Sequence, residues 1–153
     1  MTYMDKALAP HLAGTDTASR TPLVIVVEDE SRIADAFHVV CDCLDVMVKP
    51  LEGSADLPAT LRQCRPMAVV TELDMAHQDG CHVLKSVAAY DRNLPVMVLA
   101  GPDTALLGAI DAVEELWGLS SVSKSLDLPS IGEIVDFLFR AGQSGRCLRL
   151  MPV

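Results

Sequence analysis

The sequence predicts a doubly wound α/β domain, in which helices cover both faces of a parallel β-sheet. Five short β-branched runs alternate with segments that are long enough for crossover helices. Most of these runs are apolar throughout, which is typical of parallel strands that are buried on both faces. Right-handed crossovers then place helices on each side of the sheet. A chain of 153 residues suits one such domain.

The strands are predicted where apolar and β-branched residues cluster, and two of the helices where apolar residues recur at helical spacing. The predicted strands are Leu23–Val27, Asp45–Val48, Met67–Glu72, Pro95–Leu99 and Ser120–Ser123. The segment after the first strand is expected to bury Ile33, Phe37, Val40 and Leu44, and the last segment Ile131, Ile134, Val135 and Leu138. Each of these helices should pack one face on the sheet.

The domain is predicted to span residues 22–140. Residues 1–21 lack a sustained period and are expected to form a flexible leader. Residues 141–153 form a tail whose last part is apolar, which suggests docking on the domain or on a partner chain.

Charge and cysteine content exclude several classes of function. The net charge of −9, from 21 acidic and 12 basic residues, argues against nucleic-acid binding. The apolar runs are far shorter than the roughly 20 residues that a membrane span needs, and no signal peptide is recognisable. Five cysteines without a CxxC pair fit reduced thiols better than disulfides or a zinc site. We therefore expect a cytoplasmic protein without a membrane anchor.

Functional groups of this fold gather beyond the carboxyl ends of the strands. The residues expected there are Glu28, Asp29, Glu30, Glu72, Asp74, Ala100 and Lys124. Crowded carboxylates need a cation, a lysine or a shared proton to relieve their repulsion. Either Mg²⁺, which prefers oxygen ligands, or Lys124 could supply that charge.

The order and spacing of these residues resemble the receiver domain of bacterial two-component response regulators. Residues 24–30, Val-Ile-Val-Val-Glu-Asp-Glu, resemble the first strand and its acidic pair, and residues 94–99 the fourth strand. Residues 65–80, which end in Asp-Gly, resemble the third strand and the phosphoacceptor loop, and Lys124 matches the lysine after the fifth strand. The resemblance covers about residues 22–140. It implies a flavodoxin-like sheet of order 2-1-3-4-5 and assigns a metal-binding role to Glu28 and Asp29.

The positions that perform the phosphorylation switch differ from the family pattern. The acceptor position holds Glu72 instead of aspartate, and Ala100 replaces the Thr or Ser that binds the phosphoryl group. Ser121 replaces the switch aromatic, while Ala76 and Ser125 replace two prolines. We expect Glu72 to pair with Lys124 in a pocket that does not switch, and Mg²⁺ to bind weakly or not at all. The alternative is that Glu72 is a solvent-screened acid that contributes little.

These departures predict a stand-alone atypical receiver that acts through protein contacts and is not an enzyme. A second hypothesis is a Mg²⁺-dependent phosphoacceptor that uses Asp74 or Glu72. A third is a flavodoxin-like cofactor domain, although no Gly-rich or Ser/Thr-rich phosphate loop follows the first strand. The partner would be a signalling protein or a second copy of the chain.

The resemblance directs attention to the face made by the fourth helix, fifth strand and fifth helix, through which receivers meet partners. Trp117 and Phe137 lie off the predicted apolar stripes, so they are candidate anchors at that face. The competing interpretation places Trp117 in the local core. His77, Cys81 and His82 are interpreted as loop or helix-surface residues rather than metal ligands. Cys41 and Cys43 should point to different helix faces.

Overall fold

The computed structural model describes residues 21–73, 80–101 and 104–144, and within them five strands alternate with five helices. Residues 1–20 of the predicted leader, residues 74–79 and 102–103, and residues 145–153 of the tail lie outside the described residues. The strands are β1 (Leu23–Val27), β2 (Met47–Leu51), β3 (Ala68–Glu72), β4 (Val96–Leu99) and β5 (Val122–Ser125). The helices are α1 (Arg32–Leu44), α2 (Leu57–Cys64), α3 (Gly80–Tyr90), α4 (Thr104–Trp117) and α5 (Ile131–Ser144).

All strands are parallel and lie in the order β2-β1-β3-β4-β5, which confirms the predicted doubly wound sheet. The predicted β1 has the observed bounds, and β3 and β4 each begin one residue later than expected. β2 begins two residues late because Asp45 ends α1 in the left-handed conformation, with φ of 57°. β5 is also shifted by two residues, so that Lys124 lies inside the strand.

The sheet separates two apolar cores, one on each face. Alternate strand residues such as Val26 and Val70 pack with α1 and α5, which we call the α1–α5 face. Their neighbours, such as Val27 and Val69, pack with α2, α3 and α4 on the α2–α4 face. Because side chains alternate along a strand, the position of a residue in its strand decides which face it serves.

The buried stripe of α1 is confirmed, since Ile33, Phe37 and Val40 are buried and Leu44 packs against the same core. The stripe of α5 differs from the prediction. Ile134 and Leu138 are buried as expected, but Ile131 is 63% exposed and Phe137 only 2% exposed.

A capping box explains where α5 begins. The Ser130 hydroxyl accepts a hydrogen bond from Glu133 N, and the Glu133 carboxylate accepts one from Ser130 N. Ile131 is therefore the first helical residue and lies before the part of α5 that meets the sheet. The buried stripe instead runs through Ile134, Phe137, Leu138 and Ala141, at spacings of i, i+3, i+4 and i+7. α5 continues to Ser144, past the predicted domain boundary at residue 140.

Candidate functional site

The candidate site lies at the carboxyl edge of the sheet, where β1, β3 and β4 end close together. The register aligns Val27 with Thr71 and Glu72 with Leu99, so the residues that follow these strands meet at one edge. Gly80 begins α3 beside this edge. A Cβ on Gly80 would lie 2.6 Å from the Cα of Leu73, so only glycine permits this approach.

Glu28 is a buried acid that serves the first turn of α1. Its carboxylate accepts a hydrogen bond from Ile33 N at 2.9 Å and a second from Ala34 N at 2.7 Å. These amides belong to the first turn, which has no intrahelical acceptors of its own. Burial raises the pKa of Glu28 because the charged form loses hydration, and the two amides only partly offset this.

Glu72 ends β3 and pairs with an arginine rather than with the predicted lysine. Nη2 of Arg32, the first residue of α1, lies 3.4 Å from Oε2 of Glu72. The same guanidinium lowers the pKa of Glu28, while Glu72 raises it, so the three charges act on one another. Arg32 therefore supplies positive charge at this acidic edge.

Lys124 points away from this group, which makes the predicted Glu72–Lys124 pair wrong. Its ammonium lies 2.9 Å from Oδ1 of Asp111 and also pairs with Glu114, both on α4. The hydrogen bond to Glu114 raises the pKa of Lys124.

Strand register explains why Lys124 and Glu72 do not meet. Glu72 aligns with Leu99, and Leu99 with Ser125, so these three form one row across the sheet. Lys124 aligns with Val98, one step earlier along β5. Successive residues of a strand face opposite sides, so Glu72 leaves on the α1–α5 face and Lys124 on the α2–α4 face.

Ala100 occupies the expected position just beyond β4, where it is buried and its N–H donates to Ser125 O at 2.9 Å. Its methyl group offers no hydrogen-bond donor to a phosphoryl oxygen. Gly101 follows with φ of +71°, so the chain turns directly after this residue. The hydroxyl of Ser125, the residue that accepts the hydrogen bond from Ala100, donates to Asp127 O at 2.7 Å.

The resemblance implied a metal site at Glu28 and Asp29, and other groups already contact part of this donor set. Both oxygens of Glu28 accept hydrogen bonds from α1, and a guanidinium stands beside Glu72. Within residues 21–73, 80–101 and 104–144, no three His, Cys, Asp or Glu side chains are grouped so that they could hold a metal ion. Asp29 is exposed and has an interaction of its own.

The structure describes some of the other residues that the sequence singled out. Asp74, Ala76 and His77 lie outside the described residues. His82 is exposed on α3, as interpreted from the sequence. Cys41 is buried and Cys43 exposed, which confirms that they point to different faces, and burial raises the pKa of Cys41 to about 12.

The two proposed aromatic anchors have different environments. Phe137 packs in the core of the α1–α5 face, so the expectation that it is exposed is wrong. Trp117 is half-buried against the α2–α4 core, which agrees with its competing interpretation as local core. Three exposed apolar side chains follow β5 in the sequence, Leu126, Leu128 and Ile131, and we call them the β5–α5 apolar surface.

Sequence reasoning also missed Arg32, Asp111 and Glu114. The i, i+3 spacing of Asp111 and Glu114 on α4 could have signalled an acidic pair on one helix face. No such local signal marks Arg32, because its partner is 40 residues away in sequence.

A scan against protein-family models and a search of curated proteins find no match to this chain. Solved structures share its doubly wound parallel sheet. The chain is similar to the N-terminal signal receiver domain of a two-component response regulator from Bacteroides fragilis, with a TM-score of 0.62 and 18% identity over 79% of this chain and 96% of that one.

It is also similar to the chemotaxis response regulator CheY4 of Vibrio cholerae, with a TM-score of 0.62 and 14% identity over 79% of this chain and 98% of that one. A response regulator receiver protein from Pseudomonas putida gives a TM-score of 0.60 and 22% identity over 80% of this chain and 98% of that one. The chain therefore has the fold of response-regulator receiver domains, as the sequence resemblance implied.

Proposed function

We propose that this chain is an atypical receiver that signals through protein contacts and does not use an aspartyl phosphate. The observation that carries the proposal is the separation of Glu72 and Lys124 onto opposite faces of the sheet, each with a partner of opposite charge. A phosphoryl group at position 72 would therefore meet Arg32 but not the lysine. It would also find no hydroxyl at Ala100.

A phosphorylation switch needs contacts that differ between its two states, because a ligand shifts an equilibrium only by its differential affinity. In the receiver pattern that this sequence resembles, the hydroxyl and the aromatic residue provide those contacts, and here Ala100 and Ser121 replace them. The absence of the hydroxyl and of the aromatic side chain supports protein contacts that are constitutive. The proposal includes a cytoplasmic location, because five cysteines without a CxxC pair are typical of reduced thiols.

The proposal also holds that Mg²⁺ is not a resident cofactor. Arg32 already supplies positive charge beside Glu72, and both oxygens of Glu28 are engaged. Titration calorimetry should give no binding at micromolar concentrations of Mg²⁺. Micromolar affinity at physiological salt would contradict this part of the proposal.

Phosphorylation is tested by incubating the protein with acetyl phosphate and Mg²⁺ and measuring its intact mass. We expect no stable addition of phosphate. Glu72→Gln and Asp74→Asn variants serve as matched controls that identify an acceptor if one exists. Addition of one phosphate that disappears in either variant would reject the proposal and establish the Mg²⁺-dependent phosphoacceptor hypothesis.

The β5–α5 apolar surface is the proposed contact site for a signalling partner or for a second copy of the chain. Leu126 and Ile131 are 57% and 63% exposed, and with Leu128 they lie within six residues of one another beside α5. Groups of exposed apolar side chains often mark protein interaction sites. This surface replaces Phe137 as the proposed anchor. Trp117, the last residue of α4, is half-buried and is not part of this surface.

A charge at this surface should disrupt the contact. Ile131→Asp should lower self-association in sedimentation experiments, or capture of a partner from the native host, by roughly tenfold or more. Val39→Asp is a matched control, because Val39 is 59% exposed on α1. Equal losses in both variants, or no loss in Ile131→Asp, would contradict this assignment.

A further inference from the structure

A groove between α2 and α3 lies outside the site described above. Its volume is about 460 Å³, which is within the range of binding pockets. The residues that line it are Pro58, Arg62, Lys85, Ser86, Ala89 and Tyr90. Five of the six are exposed and Ser86 is half-buried, so the groove is open to solvent.

The lining residues lie on successive turns of each helix. Pro58 and Arg62 are four residues apart on α2, and Lys85 and Ala89 have the same spacing on α3. A separation of four residues corresponds to about 6 Å along a helix. The groove is therefore an elongated surface with one cation from each helix, and it suits a segment of chain better than an enclosed small molecule.

The charge of this region contrasts with that of the whole chain. The sequence contains 21 acidic residues, and none lies in α2 or α3, while Asp56 directly precedes α2 and Asp91 directly follows α3. By comparison, α4 alone contains Asp111, Glu114 and Glu115. In the part of the chain that the structure describes, neither Arg62 nor Lys85 has an ion-pair partner. The α2–α3 groove thus presents two uncompensated cations on an acidic protein.

We propose that the α2–α3 groove is a docking site for an acidic segment of a partner protein. Carboxylates of the segment would pair with Arg62 and Lys85, and an apolar side chain between them would pack on Pro58, Ala89 and the ring of Tyr90. Arg and Tyr are enriched at the energetic centres of protein interfaces. A nucleic acid is disfavoured, because its many phosphates would be repelled by the net charge of −9.

This docking site is separate from the β5–α5 apolar surface, and it does not depend on how the carboxyl edge behaves. If the phosphorylation or self-association experiments contradicted the proposed function, the proposal for the α2–α3 groove would still stand. If the groove proposal were contradicted, the proposed function would likewise still stand, because substitutions at Arg62 and Lys85 change no residue of the carboxyl edge.

The test uses the full chain and a short acetylated peptide of alternating glutamate and leucine, followed by two-dimensional ¹H–¹⁵N NMR. Addition of the peptide should shift the amide signals of Arg62, Lys85, Ser86 and Tyr90. The affinity for the peptide should fall as salt is added, because salt screens the charges. R62A and K85A should each reduce the affinity by about five- to tenfold. R140A is the matched control, since it removes one positive charge on α5, and it should leave the affinity within about twofold.

Charge reversal sharpens the test. The R62E/K85E double variant should lose the acidic peptide and gain a lysine–leucine peptide of the same length. Absence of shifts at millimolar peptide, shifts centred outside the groove, or equal effects of R62A and R140A would overturn the proposal. It would also be overturned if inorganic phosphate alone or a single-stranded oligonucleotide shifted the same signals at lower concentration.

Discussion

The two faces of the sheet treat charge at its carboxyl edge in different ways. On the α1–α5 face, Glu28 is enclosed by the first turn of α1, and Glu72 shares the positive charge of Arg32. On the α2–α4 face, Lys124 is held by two acids of α4. Each face therefore has its own cation beside two acids, and no described ion pair links Lys124 to the acidic edge.

This separation shows how a single step of strand register can change the chemistry of a site. Residues of the same types in the same order could form one pocket if Lys124 followed the end of β5. Because Lys124 lies within β5 and aligns with Val98, its side chain emerges beside α4 instead. The following four predictions test the difference between the two faces.

The largest expected effect concerns the two aromatic residues, one on each face. Phe137→Ala should lower the free energy of unfolding by about 3–5 kcal/mol, because Phe137 is enclosed in the α1–α5 core. Trp117→Ala should cost roughly half as much, since Trp117 is half-buried. Urea unfolding should be followed by far-UV circular dichroism. Trp117 is the only tryptophan, so the Trp117→Ala variant has no tryptophan fluorescence to follow. Equal losses in the two variants would contradict the burial difference.

Glu28→Ala should lower the free energy of unfolding by about 2–4 kcal/mol, because it leaves two amides of α1 without their acceptor. Glu28→Gln retains one acceptor oxygen and should cost about half as much. Asp29→Ala, a change at the neighbouring exposed acid, is the control. If Glu28→Ala were no more destabilising than Asp29→Ala, Glu28 would not stabilise the first turn of α1.

The raised pKa of Glu28 predicts a pH dependence of stability. Burial of the carboxyl makes the folded protein bind this proton more tightly than the unfolded chain, whose ordinary pKa is 4.5. The free energy of unfolding of the native protein, relative to Glu28→Gln, should therefore fall as the pH rises from about 4.5 through the folded pKa, and then level off. A relative stability that rises over this window would mean that hydrogen bonding outweighs burial.

Much of the fold could be predicted from sequence because it follows from short-range patterns. The apolar run Leu23–Val27 is a buried strand, and the alternation of strands with helical segments determines the class of sheet. The buried stripe of α5 was misplaced by one turn. The predicted stripe began at Ile131, whereas Ile134, Phe137, Leu138 and Ala141 have the same helical spacing one turn later and are the buried residues.

The site was less predictable because it depends on contacts between distant segments. The sequence placed Glu28 and Glu72 at the correct edge, but it gave no indication that α1 would use Glu28 as an acceptor. Lys124 was expected beyond the end of β5, but β5 extends two residues further than predicted, so Lys124 lies inside the strand and its alignment with Val98 directs it towards α4. An error of that size is enough to assign an ion pair to the wrong partner.

Double-mutant cycles on Lys124 test directly whether the charges on the two faces of the sheet are separate. The coupling energy between Lys124→Ala and Glu114→Ala should be about 0.5–1 kcal/mol, because this pair is only partly exposed. The coupling between Lys124→Ala and Glu72→Ala should be zero within about 0.3 kcal/mol. Stronger coupling of Lys124 to Glu72 than to Glu114 would contradict this separation, since the lysine would then belong to the acidic edge.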